Sequence, residues 1–282
     1  VDLVGRTRHE ERFAERFARL SARHKRELKQ LLGTPPDPRN IPAEFWERVK
    51  QETKEEAAAL LLLILMAGSS QYTARLEPAV AQSGRDIGQA TLQIEQQLRR
   101  WADARATEFA QQYTERSQEI IEKIGLPGEV TGGTGQPAAQ PGGSGTGIEQ
   151  PGSLPVIQPA TQPTTPQPTV QPDPDEIIDQ AFGPSRVENI AVTETTGAAS
   201  AAGEIAVDAT VGRNEEDRWF TAEDQRVCPI CAPLNGRTRS NWSRFFPDGP
   251  PAHPRCRCWI EYAFEQVGAG AGASPPELAA TR

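Results

Sequence analysis

All four cysteines of this 282-residue chain, and one of its three histidines, lie in two short phrases, RVCPICAPLNG and GPPAHPRCRCWIEY. Thiolate and imidazole are the ligands of closed tetrahedral zinc sites, and a Cys-x-x-Cys turn aims two sulfurs at one point. Cys228 and Cys231 form such a turn. His253, Cys256 and Cys258 supply a second set, brought in by a loop in which Gly236, Gly249 and the Pro250-Pro251 pair provide sharp turns. Five candidates compete for four places. The expected set is Cys228, Cys231, His253 and Cys256, with Cys258 the replacement for one of the last two, and the expected cofactor is zinc in a structural role. Disulfides or plain buried thiols are the alternatives. The start VDLVGRTRHEERF carries no secretory pattern, and a disulfide scheme gives His253 no part.

A catalytic zinc keeps one coordination position open and needs a general base beside it. Once His253 is a ligand, no histidine is left in this half of the chain, and nothing in the spacing of Glu194 or Asp224 marks either as a base. No catalytic residue and no small-molecule substrate are expected. Three of the five tryptophans, Trp219, Trp242 and Trp259, stand near the cysteines with Phe220, Phe245, Phe246, Tyr262 and Phe264. They make a miniature core around a metal, thin without one. From Arg226 to Tyr262 six arginines face Asp248 and Glu261, a local charge of +6 − 2 = +4 in a chain of net charge −8. An acidic chain does not coat nucleic acid, but Arg237, Arg239, Arg244, Arg255 and Arg257 together offer contacts to DNA phosphates or to an acidic protein surface.

The elements that must position this cluster read as helices. Phe13, Phe17, Leu20, His24, Leu28 and Leu31 line one face of an amphipathic helix, on which His24 reads as a packed or capped residue. A second helix begins near Pro42, presents Phe45, Trp46 and Val49, and enters the apolar run Ala57 to Gly68, too short to span a bilayer; no membrane partner is expected. A third carries Ile87, Ile94, Leu98, Trp101, Phe109, Tyr113, Ile120 and Ile124 as a stripe that wants a partner, in this chain or another.

Of the 25 prolines, 11 fall between Pro127 and Pro174, with nine glycines, three charged residues and no aromatic residue. Such a segment cannot bury enough apolar surface to offset its ordering entropy and reads as a disordered tether. The fold expected is mainly α: a helical region over 1–126, a disordered Pro/Gly/Thr/Gln-rich linker over 127–174, a segment over 175–266 that begins helical and ends in a small zinc-knuckle-like α+β module, and a disordered tail over 267–282. Within the third segment Glu194 is expected to pair with Arg186, two turns earlier. The first residue is valine, so the gene's start is expected to lie further upstream.

The order Trp219, Asp224, CPIC, Gly236, PPAHPRCRC resembles the C-terminal signature of the phage head morphogenesis family, minor capsid proteins similar to phage Mu protein F. The stretch FGPSRVENIAVTETTGAASAAGE is similar to that family's helical segment, with Arg186, Thr193 and Glu194 in its recurring places and Pro250 and Pro251 in the closing signature. The resemblance runs over about residues 180 to 262 and is sharpest in its last third. It implies a structural minor head protein of a phage or prophage, acting in procapsid assembly at or near the portal and in the packaging or ejection of DNA. The implied partners are the portal protein and other capsid proteins. The implied place is the virion, at the capsid interior or portal vertex, with the host cytoplasm as site of assembly. The rival readings are a zinc-dependent nuclease or toxin domain carried on a capsid protein, and a DNA-binding zinc module.

Overall fold

The computed structural model describes residues 3–82, 87–124, 172–222 and 228–263. Most of the tether expected over 127–174, and the tail expected over 267–282, lie outside the described residues, as do Asp224 and Arg226.

Helix α1 (Arg6–Leu32) starts at Gly5 and stops at Gly33, both with positive φ, 73° and 75°. Its buried face is Phe13, Phe17, Leu20, His24, Leu28 and Leu32. Leu32 closes the stripe where the spacing pointed to Leu31, which is only partly buried, because a straight helix drifts round by about 100° per residue and Leu32 falls one turn after Leu28. A 3₁₀ turn (Pro38–Asn40), capped by the Asp37 side chain, leads into α2 (Ala43–Gln82) and then α3 (Ile87–Ile121). The C-terminal half supplies α4 (Pro174–Phe182), N-capped by Asp173, and α5 (Pro184–Thr210).

The chain is mainly α, and its helices share one core. Helix α2 packs against α3 and α5, α1 lies on α5, and α4 fits between α1 and α3. The stripe on α3 therefore finds its partner within the chain. From Ala43 to Pro78, α2 is by length and composition apolar enough to cross a bilayer, a stretch that extends well beyond the run Ala57 to Gly68. In the fold its Leu60, Leu61, Ile64 and Leu65 are at most 2% exposed, each contributing about 1.5–3 kcal/mol by burial. Leu63 and Met66 face outward.

Close approach at the centre depends on small residues. Ala198, Ala201, Ala202, Gly203 and Ala206 form the buried face of α5. A Cβ placed on Gly68 of α2 would stand 2.8 Å from that of Ala202, and one on Gly203 would stand 2.7 Å from the Tyr262 ring. Thus α5 is clamped between α2 and the C-terminal module, and each of those glycines fills a position with no room for a side chain.

That module is a two-stranded antiparallel sheet, β1 (Arg218–Phe220) with β2 (Trp259–Glu261), registered Arg218 to Glu261, Trp219 to Ile260 and Phe220 to Trp259. Side chains alternate across a strand. Trp219 and Ile260 point inward at 0% and 2% exposure, and Phe220 stacks on Trp259 on the other face. Trp219 also meets Trp242, of the short helix α6 (Arg239–Trp242), at 5.8 Å and Phe246 at 5.5 Å. Of the aromatic set expected from composition, Trp219, Trp242, Phe246, Phe220 and Trp259 meet here and Tyr262 is buried. Phe245 is 74% exposed and stands outside the core, and Phe264 lies outside the described residues.

Candidate metal centre

Between β1 and β2 the chain makes two turns that face each other. In the first, the backbone N–H groups of Cys231 and Ala232 donate to the Cys228 carbonyl at 3.1 and 3.0 Å, and the Cys231 N–H also reaches the Cys228 sulfur at 3.4 Å. A 3₁₀ turn (Ala232–Leu234) and Gly236, at φ 73°, then return the chain so that the Gly236 N–H donates to the Trp219 carbonyl at 2.7 Å. In the second turn the Cys256 N–H donates to the His253 carbonyl at 3.1 Å, and Arg255 between them takes a φ of 63°. Cys258 follows and enters β2.

The turns bring all five predicted donors together, as two triads that share Cys231: Cys228, Cys231 and His253 in one, Cys231, Cys256 and Cys258 in the other. Within each triad the ligand atoms lie within 4.8 Å of one another. The His253 Nε2 is 2.9 Å from the Cys228 sulfur and 3.1 Å from that of Cys231, and the sulfurs of Cys231 and Cys256 are 3.9 Å apart. In a tetrahedron with bonds of about 2.3 Å to sulfur and about 2.0 Å to nitrogen, two sulfurs stand about 3.8 Å apart and a nitrogen and a sulfur about 3.5 Å. The Cys231–Cys256 pair therefore has the spacing of two ligands of one ion, while His253 sits closer to its two sulfurs than an ion between them would allow. All four cysteines are free thiols.

The protonation states suit a cation. His253 Nδ1 lies 2.7 Å from the Pro254 carbonyl, which can only accept, so Nδ1 carries the proton and Nε2 turns its lone pair to the sulfurs. A backbone carbonyl holding the far ring nitrogen is the usual way a ligating imidazole is oriented. Hydrogen bonds from Cys231 and Cys258 draw the Cys256 thiol far below its ordinary pKa, while the same bonding to Cys256 pushes Cys231 up. The residues could therefore hold a metal, with Cys231 and Cys256 buried at 2% and 1% exposure and Cys228 and His253 nearer solvent.

Helix α5 and the start of α1 hold the second turn in place. Thr193 Oγ1 accepts the Arg255 N–H at 2.9 Å, and the Thr196 hydroxyl lies 2.5 Å from the Cys256 carbonyl. Glu194, between them in sequence, faces away and pairs with Arg105 of α3 through two hydrogen bonds of 2.6 and 2.9 Å. The expected Glu194–Arg186 pair is not formed. Eight residues advance a helix by about 800°, which leaves the two side chains about 80° apart and two turns distant. Arg186 instead caps the Ala181 carbonyl at 2.7 Å, donates to Ser117 at 3.0 Å, and lies over the Tyr113 ring at 4.5 Å. The predicted residues Trp219, Gly236, Pro250 and Pro251 all sit in the module around the donors; Pro251 rests 3.5 Å from where a Cβ on Gly197 would stand.

The basic set separates. Arg237, Arg244 and Arg255 are exposed. Arg257 is half-buried beside Glu10 at 3.5 Å. Arg239 is a correction to the surface reading: its side chain is 8% exposed, pairs with Glu204 at 2.5 Å and Asp217 at 3.1 Å, and packs over the Trp242 ring. It ties the module to α5. Asp217, fully buried, also accepts from the Ala263 N–H at 2.9 Å. Nothing in the sequence marked Asp217, Glu204 or Arg6 as structural, because each is a common charged residue whose partner stands far away in the chain.

With this geometry in hand, residues 167–261 match the family described as Phage Mu protein F like protein. The match covers the resemblance read from the signature and includes all five donors. No curated protein and no solved structure matches the chain.

Proposed function

We propose that this chain, which carries the phage Mu protein F-like segment at residues 167–261, is a structural minor head protein of a phage or prophage. It acts in procapsid assembly at or near the portal, bound to the portal protein and other capsid proteins, and belongs to the virion. Zinc, held by Cys228, Cys231, His253 and one of Cys256 and Cys258, fastens the C-terminal module as a rigid docking piece. When bound, the ion supplies cross-linking of two turns, not a reactive water.

The observation that carries this reading is the coincidence of the family match with a donor cluster whose described neighbours Thr193, Thr196 and Arg6 hold the backbone of its second turn. The other histidines, His9 and His24, lie on α1, and His24 is committed to Glu52 at 2.8 Å. The test is co-expression of the tagged chain with the portal and major capsid proteins of the same gene cluster. Co-sedimentation with procapsids is expected. Procapsids that form normally and never contain the chain would overturn the reading.

A second reading, binding of DNA, is supported by Arg237, Arg244 and Arg255, which project from one small module. Changing these three to Gln is expected to lower DNA retention and flatten its salt dependence, the logarithmic slope falling by about 0.9 for each phosphate no longer neutralised. Retention unaltered by the changes would remove DNA as a partner. Metal-dependent cleavage of plasmid DNA, abolished in a folded His253→Ala variant, would instead favour the nuclease.

A further inference from the structure

We propose that Arg6, in the first turn of α1, is a positioning residue of the metal centre, so that ion binding in the C-terminal module and docking of the N-terminal turn are coupled. The proposal rests on the structural-metal reading above.

Arg6 is 7% exposed, and its guanidinium crosses 251 positions of sequence to the ligand loop. It donates to the Arg257 carbonyl at 3.0 Å and to the Cys256 carbonyl at 3.4 Å. The same guanidinium donates to Thr196 Oγ1 and to Glu10 at 3.1 Å, and Glu10 in turn faces Arg257 at 3.5 Å. The carbonyls of Cys256 and Arg257 belong to the short bridge between two of the sulfur donors. A planar guanidinium with donors in a fixed fork holds two such carbonyls in one relative orientation, which a flexible ammonium does not. Fixing them fixes the backbone dihedrals between Cys256 and Cys258, and with these the direction of both sulfurs. Arg6 acts through the backbone that aims the ligands.

Partners of this kind, one bond removed from the ligands, change metal affinity by about 10–100-fold when deleted. Coupling is reciprocal: a residue that tightens the ion is itself held more tightly when the ion is bound, by the same factor. The N-terminal turn of α1 thus closes over the loop most firmly in the metal-bound protein.

The experiment uses the full chain, reduced and loaded with zinc, in competition with a chromophoric chelator. Wild type is compared with Arg6→Met, Arg6→Lys and Arg105→Met. The last loosens the buried pair with Glu194 without touching the ligand loop. Arg6→Met is expected to lose about 10–100-fold in affinity, Arg6→Lys less, and Arg105→Met to stay within about twofold. In parallel, hydrogen exchange of the amides of residues 3–10 is expected to accelerate when the ion is removed from wild type. Zinc affinity unchanged in Arg6→Met, an equal loss in Arg105→Met, or exchange at 3–10 indifferent to the ion would each overturn the proposal. Should Arg6→Met fail to fold, the exchange measurement on wild type decides: acceleration at residues 3–10 on removal of the ion supports the coupling, and indifference defeats it. Wild-type protein that binds no zinc would sink the metal reading itself, a result distinct from a loaded wild type with an equally tight Arg6→Met.

Discussion

Thr193 of α5 receives the backbone N–H of Arg255 at 2.9 Å, and Arg255 is, among the described residues, the non-glycine residue held at positive φ, 63°. The left-handed region costs an ordinary residue about 1–2 kcal/mol, so the turn between His253 and Cys256 persists because something outside it keeps it there. Thr193→Val, which removes the acceptor and keeps the shape, is expected to lower stability by about 1–2 kcal/mol, whereas Thr193→Ser stays close to wild type. Urea denaturation of the two variants measures the difference, and equal midpoints would show that the hydroxyl does not support the turn.

Glu194 makes a different prediction from the position next door. Its carboxylate is 6% exposed and its partner Arg105 27%, so removing one member strands the other. Glu194→Leu is expected to cost about 3 kcal/mol, and the double change Glu194→Leu with Arg105→Met distinctly less than the sum of those two single changes. Additive losses in a double-mutant cycle would mean that the pair is not coupled.

These two residues also show what the sequence could and could not reveal. The donor cluster was legible because its chemistry is local and rare: two thiols at Cys-x-x-Cys spacing, a histidine and two more thiols in one phrase. The helices were legible from periodicity. Adjacent Thr193 and Glu194 read as a single motif, yet they stand about 100° apart round α5 and serve opposite neighbours, one the ligand loop and the other α3. Arg239 looked like surface charge because composition counts charges without partners; its partners Glu204 and Asp217 lie 35 and 22 positions away. That α1 touches the loop of Cys256 and Cys258 was hidden for the same reason. The two segments lie at opposite ends of the chain, and no local pattern records their meeting.

His24 makes stability depend on pH. Burial lowers its pKa below 6.5 and outweighs the opposing hydrogen bond to Glu52. The unfolded chain therefore binds this proton more readily than the folded one, so the contribution is present above pH 6.5 and is lost as pH falls through the depressed folded value. His24→Gln, which keeps a donor for Glu52, is expected to show a shallower loss of stability on acidification from pH 7.5 than wild type. Parallel curves from urea melts across that range would assign the acid sensitivity elsewhere. His9, lowered by burial and by Arg12 and Arg8, acts in the same direction in both proteins and cancels.

Gly203 tests the clamp on α5. In an exposed helix Gly→Ala adds about 1 kcal/mol. Here the new methyl would meet the Tyr262 ring at 2.7 Å and the Tyr72 ring at 2.8 Å, two side chains that are themselves 6% exposed. Overpacking of that kind costs about 1–3 kcal/mol, so Gly203→Ala is expected to destabilise despite its better propensity. A raised melting temperature would show that the tyrosines move aside freely.

Removing the ion should act first on the module. Its aromatic core of Trp219, Trp242 and Phe246 is small, and the two turns that cover it are held at their tips by the donors. Chelation of reduced protein is therefore expected to shift tryptophan emission to the red while helical circular dichroism changes little, because most of the helices pack on one another far from the site. Among single changes Cys231→Ser should be the most damaging, since Cys231 belongs to both triads and no other sulfur can stand in its place. Cys256→Ser and Cys258→Ser leave the neighbouring thiol as a substitute, so each alone should weaken zinc binding and only the two together abolish it. If Cys231→Ser binds zinc as tightly as either of these, the ion does not sit between the two turns, and the geometry of the cluster would need another explanation.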